Sequence, residues 1–404
     1  MPDRTTEPHV REVISSLVAE LEETLIGFRR DLHAHPEVGR QEFRTTRRIM
    51  SVLSAAGLTP RELASGTGVV VDIAPEVADP AADGGVVAFR ADIDALPVQE
   101  TSAVDHASVN DGVSHACGHD VHTAIAVGTA LVAARLRDRG LLPRPVRVIF
   151  QPAEEVLTGA RSVIDAGELV GVEEVFAVHC DPRVEVGKVG LAAGEVTAAT
   201  DLLTVSVRGT GGHTARPHLT PDVIGALVAV AGQAPLVLSR RIDPRGGVSL
   251  VWGRVTAGTV PNVIPSRGEL SGTVRALDLA GWERVSQVLP EVLRQLVAPY
   301  GVEIDIDHER GVPPTVNHAR SVVRFTRAAT AVLGPGGHEP TEQSLGGEDF
   351  AWMLQSVPGA LGRLGVRTPG VPTFPDIHQP DFTVDERAIA VGVRLFAELA
   401  VDTA

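Results

Sequence analysis

Hydrophobic positions change their period several times along the chain, and each change marks an element. From about residue 8 to 57 the period is helical. VREVISSLVAELEETLIGFRRDLHAHPE keeps apolar residues on one helical stripe and stops near Pro36, and EFRTTRRIMSVLSAAG forms a second helix closed by Gly57. Short apolar runs then alternate with helices. VVAFRA (86–91), PVRVIF (145–150) and EVFAVH (174–179) read as strands, while HTAIAVGTALVAARLRDRG (122–140) and GARSVIDAG read as helices ending at Gly140 and Gly167. Continuous apolar strands separated by helices predict an α/β fold, a mostly parallel sheet with helices on both faces.

The middle of the chain follows a different pattern. DLLTVSVRG (201–209), GVSLVWGRV (247–255), RGELSGTVRAL (267–277) and VEIDIDHE (302–309) read as strands. PDVIGALVAVAGQAPLVL (221–238) and WERVSQVLPEVLRQLVA (282–298) read as helices, the second with Pro290 as a potential kink. The order β-α-β-β-α-β is that of a ferredoxin-like unit. It predicts an inserted α+β domain over 190–306, flanked by a first domain made of 1–189 and 307–404. A chain of 404 residues is long enough for two cores.

Composition narrows the classes. Apolar residues make up 44% and charged residues 22%, as in a globular protein, and the formal net charge of −15 argues against a nucleic-acid partner. Two cysteines, Cys117 and Cys180, form no disulfide framework, and each lies next to or near a histidine. The start MPDRTTEPHVREV carries no apolar leader region, and no apolar run is read as long enough for a membrane span. The expectation is a cytoplasmic protein with no membrane partner.

The chemistry sits at strand ends. VVAFRADID ends in Asp92 and Asp94, VRVIFQPAEE in Glu154 and Glu155, and VFAVHC in His179. In an open parallel sheet such ends converge on one edge. HACGHD adds His115, Cys117, His119 and Asp120 at a helix start, and FPDIHQPDF adds Asp376 and His378. Each piece alone has an ordinary reading: helix-start charges for Glu154 and Glu155, a core imidazole for His179, a surface loop for His378. Their joint placement points to a shared site. One thiolate, several imidazoles and carboxylates suit zinc or another late first-row divalent ion, and the donors are numerous enough for two metals. One of two adjacent glutamates is then free to move protons. A cysteine nucleophile, Cys117 beside His119, is the competing reading.

The chain resembles the aminoacylase/carboxypeptidase-type dinuclear metallohydrolases, in the branch of hippurate hydrolase, N-acyl-L-amino-acid amidohydrolase and auxin–amino-acid conjugate hydrolase. The resemblance rests on DLHAHPEVGRQEFRTT, FRADIDALPVQE, SHACGHDVHTA, VIFQPAEE, AVHCDP, GGHTARPH, GTVPNVIP and DIHQPDF, from residue 31 to about 386. It implies a zinc-exopeptidase-like first domain and an inserted lid that also serves as a dimerisation surface. It assigns Cys117, His119, Glu155, His179 and His378 as ligands of two divalent ions (Zn, Mn, Co or Ni), with Cys117 as a bridge. It assigns Glu154 as general base and proton shuttle, and Asp94 as the supporting carboxylate. Asp92 stands where the wider family has its first histidine ligand, and His119 takes that role. Ser114 replaces a frequent methionine. His213 corresponds to a histidine that reaches the substrate carbonyl from a partner subunit, and Asn262 to a substrate-positioning residue. Arg275 is a second candidate for a substrate carboxylate. The implied activity is hydrolysis of an N-acyl amino acid to a carboxylic acid and an amino acid. Cleavage of a dipeptide or a C-terminal residue is the alternative, and a non-catalytic binding protein is disfavoured because no ligand is missing.

Overall fold

The computed structural model describes residues 6–75 and 85–403; residues 1–5, part of the start read above for a leader, lie outside them. Two compact units are present: 1–196 with 316–342 and 352–404, and 197–315 with 343–351.

The first unit begins with helices α1 (Thr6–Ala34) and α2 (Phe43–Ala55). Strands β1 (Arg61–Glu62), β2 (Val69–Ile73) and β3 (Val86–Asp92) follow, then helix α3 (His119–Asp138), strand β4 (Val146–Gln151), helix α4 (Gly159–Asp165) and strands β5 (Val172–Glu185) and β6 (Val189–Leu191). The second unit contributes β7 (Ala199–Arg208), α5 (Val223–Arg241), β8 (Ser249–Ala257), β9 (Arg267–Ala276), α6 (Leu279–Val297) and β10 (Glu303–Val312). The chain then returns through α7 (Ala319–Leu333), β11 (His338–Pro340), β12 (Gly359–Arg367) and α8 (Arg387–Val401).

The eight strands of the first unit lie in the order β1-β2-β4-β3-β5-β12-β6-β11. The central four, β4-β3-β5-β12, are parallel, and the pairs toward the edges are mixed. Nearly every side chain of β3 and β12 is buried, which is why these strands lack polar alternation. Helix α3 is buried along almost its whole length. Gly128 permits that burial: a Cβ there would lie 2.6 Å from Val393 of α8 and 2.7 Å from Leu25 of α1. The three helices share one core with the sheet.

In the second unit the strands lie in the order β8-β9-β7-β10, all antiparallel, with α5 and α6 packed on them around a separate core. This is the ferredoxin-like arrangement, and α6 continues through Pro290. The unit covers 197–315 and 343–351 rather than 190–306, because Val189–Leu191 is a strand of the first sheet and β10 continues to Val312. Among the described residues α5 is the one helix long and apolar enough to cross a membrane by length and composition, a stretch the sequence reading did not count. Its Val223, Leu227, Val230 and Leu238 pack on the sheet of its own unit.

Candidate active site

Three parallel strands deliver the side chains of the first unit's site. Strand β3 ends at Asp92, and Asp94 follows two residues later. Strand β4 ends at Gln151, just before Glu154 and Glu155. Strand β5 runs on to Glu185, so His179 is not at its end. Its pairing with β3 stops at Ala177, however, and His179 stands two residues beyond, where the sheet opens. Gly118 precedes α3 with φ 85°, and a Cβ there would sit 2.7 Å from the Cys180 sulfur. Only glycine makes this turn, which sets Cys117 on one side and His119 on the other. His378 adopts φ 66° while its backbone N–H donates to the Ala116 carbonyl at 2.7 Å, binding the C-terminal loop to the cysteine loop.

Besides a cluster around Asp92, donor atoms fall into four overlapping groups, each within 4.8 Å: Cys117 with His119 and His179, Cys117 with Glu155 and His378, His119 with Glu154 and Glu155, and Glu154 with Glu348 and Asp349. Cys117 belongs to the first two groups, and His119, Glu154 and Glu155 also recur. The histidines are oriented from behind. His119 Nδ1 donates to the Asp94 carbonyl at 2.9 Å, which leaves Nε2 facing inward, buried and without a hydrogen-bond partner. His179 Nδ1 donates to the Cys180 carbonyl at 2.8 Å, leaving Nε2 3.4 Å from the Cys117 sulfur. Glu155 Oε1 is also buried and unpartnered, 3.7 Å from His119 Nε2 and 3.8 Å from His378 Nε2. Asp94 supports both halves: Oδ2 accepts the Glu155 backbone N–H at 2.9 Å, and Oδ1 lies 3.3 Å from His119 Nδ1. Glu154 Oε2 lies 4.0 Å from His119 Nε2.

The cluster of Asp92 with His119 and His122 is a hydrogen-bond network instead. Asp92 accepts from Arg90 at 2.7 Å and from His122 Nδ1 at 2.6 Å, and His122 Nε2 accepts the Cys180 N–H at 2.8 Å. Both nitrogens of His122 are therefore engaged. The sequence reading missed His122 and Arg90, although His122 stands one helical turn after His119.

The electrostatics describe a pocket short of positive charge. Burial alone would lower the His119 pKa, but Asp92, Asp94 and Glu155 raise it to about 10. Burial raises Glu155 to about 7 despite His119. Burial, then Glu155 and Glu154, push the Cys117 thiol well up. Burial, then Arg363, hold His179 neutral, with a lone pair to give. A raised thiol is the opposite of what a cysteine nucleophile needs. Inward-facing orphan atoms, one thiol, three imidazoles and a carboxylate fit two divalent cations.

The other three predicted residues lie in the second unit. His213 and Asn262 are neighbours on an exposed two-stranded ribbon: Val263 pairs with His213, and the Asn262 carbonyl accepts the Thr214 N–H at 3.3 Å. His213 Nδ1 accepts the Ala215 N–H at 3.0 Å. Arg275 pairs with Thr200, whereas the ribbon adjoins the Arg267 end of the same strand. Eight residues of strand separate those ends by about 26 Å. Arg275 donates to Thr200 Oγ1 at 3.0 Å and to the Leu345 carbonyl.

A buried donor set at the strand ends, with two adjacent glutamates in it, is that of a metal-dependent hydrolase. The chain belongs to peptidase family M20/M25/M40, whose model matches residues 88–402. The N-acetylcysteine deacetylase of Bacillus subtilis is 38% identical over 93% of this chain and 96% of its own length. The YXEP protein of Bacillus subtilis, described as a dinuclear metal-binding peptidase of the M20 family, superposes with a TM-score of 0.81 at 35% identity, covering 95% of this chain and 98% of that one. A Rhodococcus jostii protein bearing a glutamate–cysteine ligase name is 44% identical over 94% of this chain, which spans only 46% of that longer protein.

Proposed function

We propose that the protein hydrolyses the amide bond of N-acyl amino acids, releasing a carboxylic acid and a free amino acid. The observation that carries the reading is the pair of donor groups sharing Cys117, with Glu154 beside them. Cys117, His119, Glu155, His179 and His378 would hold two divalent ions, with zinc favoured by the thiolate and imidazoles, and Mn, Co and Ni as alternatives. When bound, such ions supply Lewis-acid activation of water and carbonyl. Glu154 accepts the proton of the attacking water and returns it to the leaving nitrogen as the C–N bond breaks. Asp94 holds His119 and the Glu155 amide in place throughout.

His213 and Asn262 are assigned to the substrate carbonyl and carboxylate, supplied in trans by a second copy of the chain. A homodimer is supported by the open edge of β8, with Val251 and Val255 exposed, beside exposed Ile224 and Val228 of α5. Arg275, already bonded within its own unit, is not needed for this role. A free Cys117 thiol fits a reducing, cytoplasmic setting. Because the family is described as peptidases, dipeptides are the second substrate class to test.

The test is primary-amine release from N-acetyl-L-cysteine, other N-acetyl, N-benzoyl and indoleacetyl amino acids, and dipeptides, with and without chelator. Chelator-sensitive release restored by Zn, Mn, Co or Ni is the expected result. Silence across the panel in metal-replete protein would overturn the reading.

A further inference from the structure

Helix α2 has an odd beginning. Glu42 occupies its N-cap, yet its side chain makes no cap hydrogen bond. Glu37 does that work, accepting the backbone N–H groups of Arg44 at 2.9 Å and Thr45 at 2.8 Å. The Glu42 carboxylate, held at its own backbone amide and by Thr67, is left free to reach another segment. It is fully buried, and among the described residues no arginine, lysine or histidine pairs with it. Burial and then nearby Asp94 raise its pKa. A buried carboxylate without a cation is costly beside an apolar side chain of its shape, so its presence asks for a role.

Its one backbone partner outside α2 is informative. Glu42 Oε1 accepts the Ala153 N–H at 2.8 Å. Ala153 has φ 57°, as does Leu157, and these two non-glycine residues bracket Glu154 and Glu155 in a sparsely populated conformation. The Ala153 carbonyl accepts from Thr158 at 3.2 Å and Gly159 at 3.1 Å, and the Glu154 carbonyl from Leu157 at 2.7 Å. Gly159 is irreplaceable here, since a Cβ would fall 1.6 Å from the Pro152 carbonyl oxygen. On the far side of Glu154, Asp94 holds the Glu155 N–H at 2.9 Å. Two buried carboxylates from different parts of the chain thus hold the backbone N–H groups of the two residues that flank the base.

We propose that Glu42 is a positioning residue for Glu154, fixing the loop that aims the base by accepting the Ala153 amide. This rests on the assignment of Glu154 as the proton shuttle. The paired variants Glu42→Gln and Glu42→Asp separate reach from charge. Gln keeps an oxygen at the Ala153 amide and loses the charge; Asp keeps the charge and withdraws by one methylene.

The experiment follows kcat, KM, bound metal and amide hydrogen exchange of residues 150–159 in the full chain. Glu42→Asp is expected to speed exchange in that segment and to lower kcat about 10- to 100-fold, with KM within about 3-fold and metal content unchanged. Glu42→Gln is expected to restore slow exchange and to bring kcat back to within about 3-fold of the parent. The reverse pattern, equal losses in both variants, parent-like exchange and turnover in Glu42→Asp, or loss of metal in either would overturn the proposal. The exchange readout needs no substrate. A parent protein silent on every amide would therefore count against the proposed activity, while the exchange pattern would still decide the role of Glu42.

Discussion

Two buried clusters of histidine and carboxylate meet at the start of α3, and consecutive residues belong to different ones. His119 faces the candidate metal centre. Asp120 faces a cluster with Arg29, His33 and Glu100, where Arg29 Nε lies 2.6 Å and His33 Nδ1 2.8 Å from Asp120 Oδ2, and His33 Nε2 lies 3.1 Å from Glu100 Oε1. The ingredients are alike and the electrostatics opposite. In the second cluster burial would raise both acids, but Arg29 and His33 hold Asp120 far below its usual range, and His33, Ser102 and Ser108 bring Glu100 to about 2. In the metal centre burial wins, Glu155 rises to about 7 and the Cys117 thiol rises too. The difference is the source of positive charge. One cluster holds a permanent cation in Arg29; the other meets its acids only with His119, whose proton can be displaced, and keeps Glu155 and the Cys117 thiol raised.

The largest expected effect separates base from ligands. Glu154→Gln should lower kcat about 100- to 10,000-fold while metal content, measured on dialysed protein, stays at the parent level. Metal loss in this variant would make Glu154 a ligand and overturn its assignment as the base. Next, Cys117→Ala should weaken metal binding by at least about 10-fold, and Cys117→Asp should recover part of it if both donor groups share that position. Equal metal loss in both variants would argue that the two groups are not bridged there.

Much of this candidate centre is legible in the sequence because its donor residues are chemically distinctive and follow apolar strands. What escaped depends on contacts between distant segments. Glu42 reads as an ordinary helix-start residue, since only the fold shows that Glu37 has taken over the cap. His122 reads as one more helical position until Asp92 and Cys180 claim its nitrogens. Strand β12, GALGRLGVR, sits in the middle of the sheet yet looks like a loop. Its glycines answer crowding: a Cβ at Gly359 would lie 1.9 Å from the Val175 carbonyl, and one at Gly365 2.0 Å from that of Glu185. Close packing removed the apolar pattern by which strands are recognised. The inserted unit's start was misplaced for a related reason, since Val189–Leu191 joins the first sheet although it lies beyond the last predicted strand.

The comparison also predicts proton traffic. Apo protein holds protons on Cys117 and on His119, whose pKa stands at about 10, and a partly protonated Glu155 near 7. Metal binding must expel them, so affinity should rise with pH by about one log unit per pH unit for each proton released. Titration of apo protein with Zn in two weak buffers of different ionisation enthalpy measures that release. Binding without proton release would mean that the thiol and His119 are not ligands.

The smallest effect belongs to the self-neutralised cluster and is measured on metal-replete protein, where the centre no longer titrates. Glu100→Gln removes a charged hydrogen bond to His33, a loss of about 1 kcal/mol. Because the folded pKa of Glu100 is depressed from 4.5 to about 2, its contribution is present above 4.5 and lost as pH falls toward 2. Because burial of His33 is outweighed by Asp120 and Glu100 and its pKa is raised above 6.5, its share is present below 6.5 and lost as pH rises through the folded value. The Tm difference between parent and Glu100→Gln should therefore be widest between about pH 4.5 and 6.5 and narrow on both sides. A difference that stays constant from pH 3 to 9 would show that Glu100 acts through packing or its bond to the Ser108 amide rather than through His33. The contrast between a cluster that carries its own cations and one that recruits them would then rest on Arg29 alone.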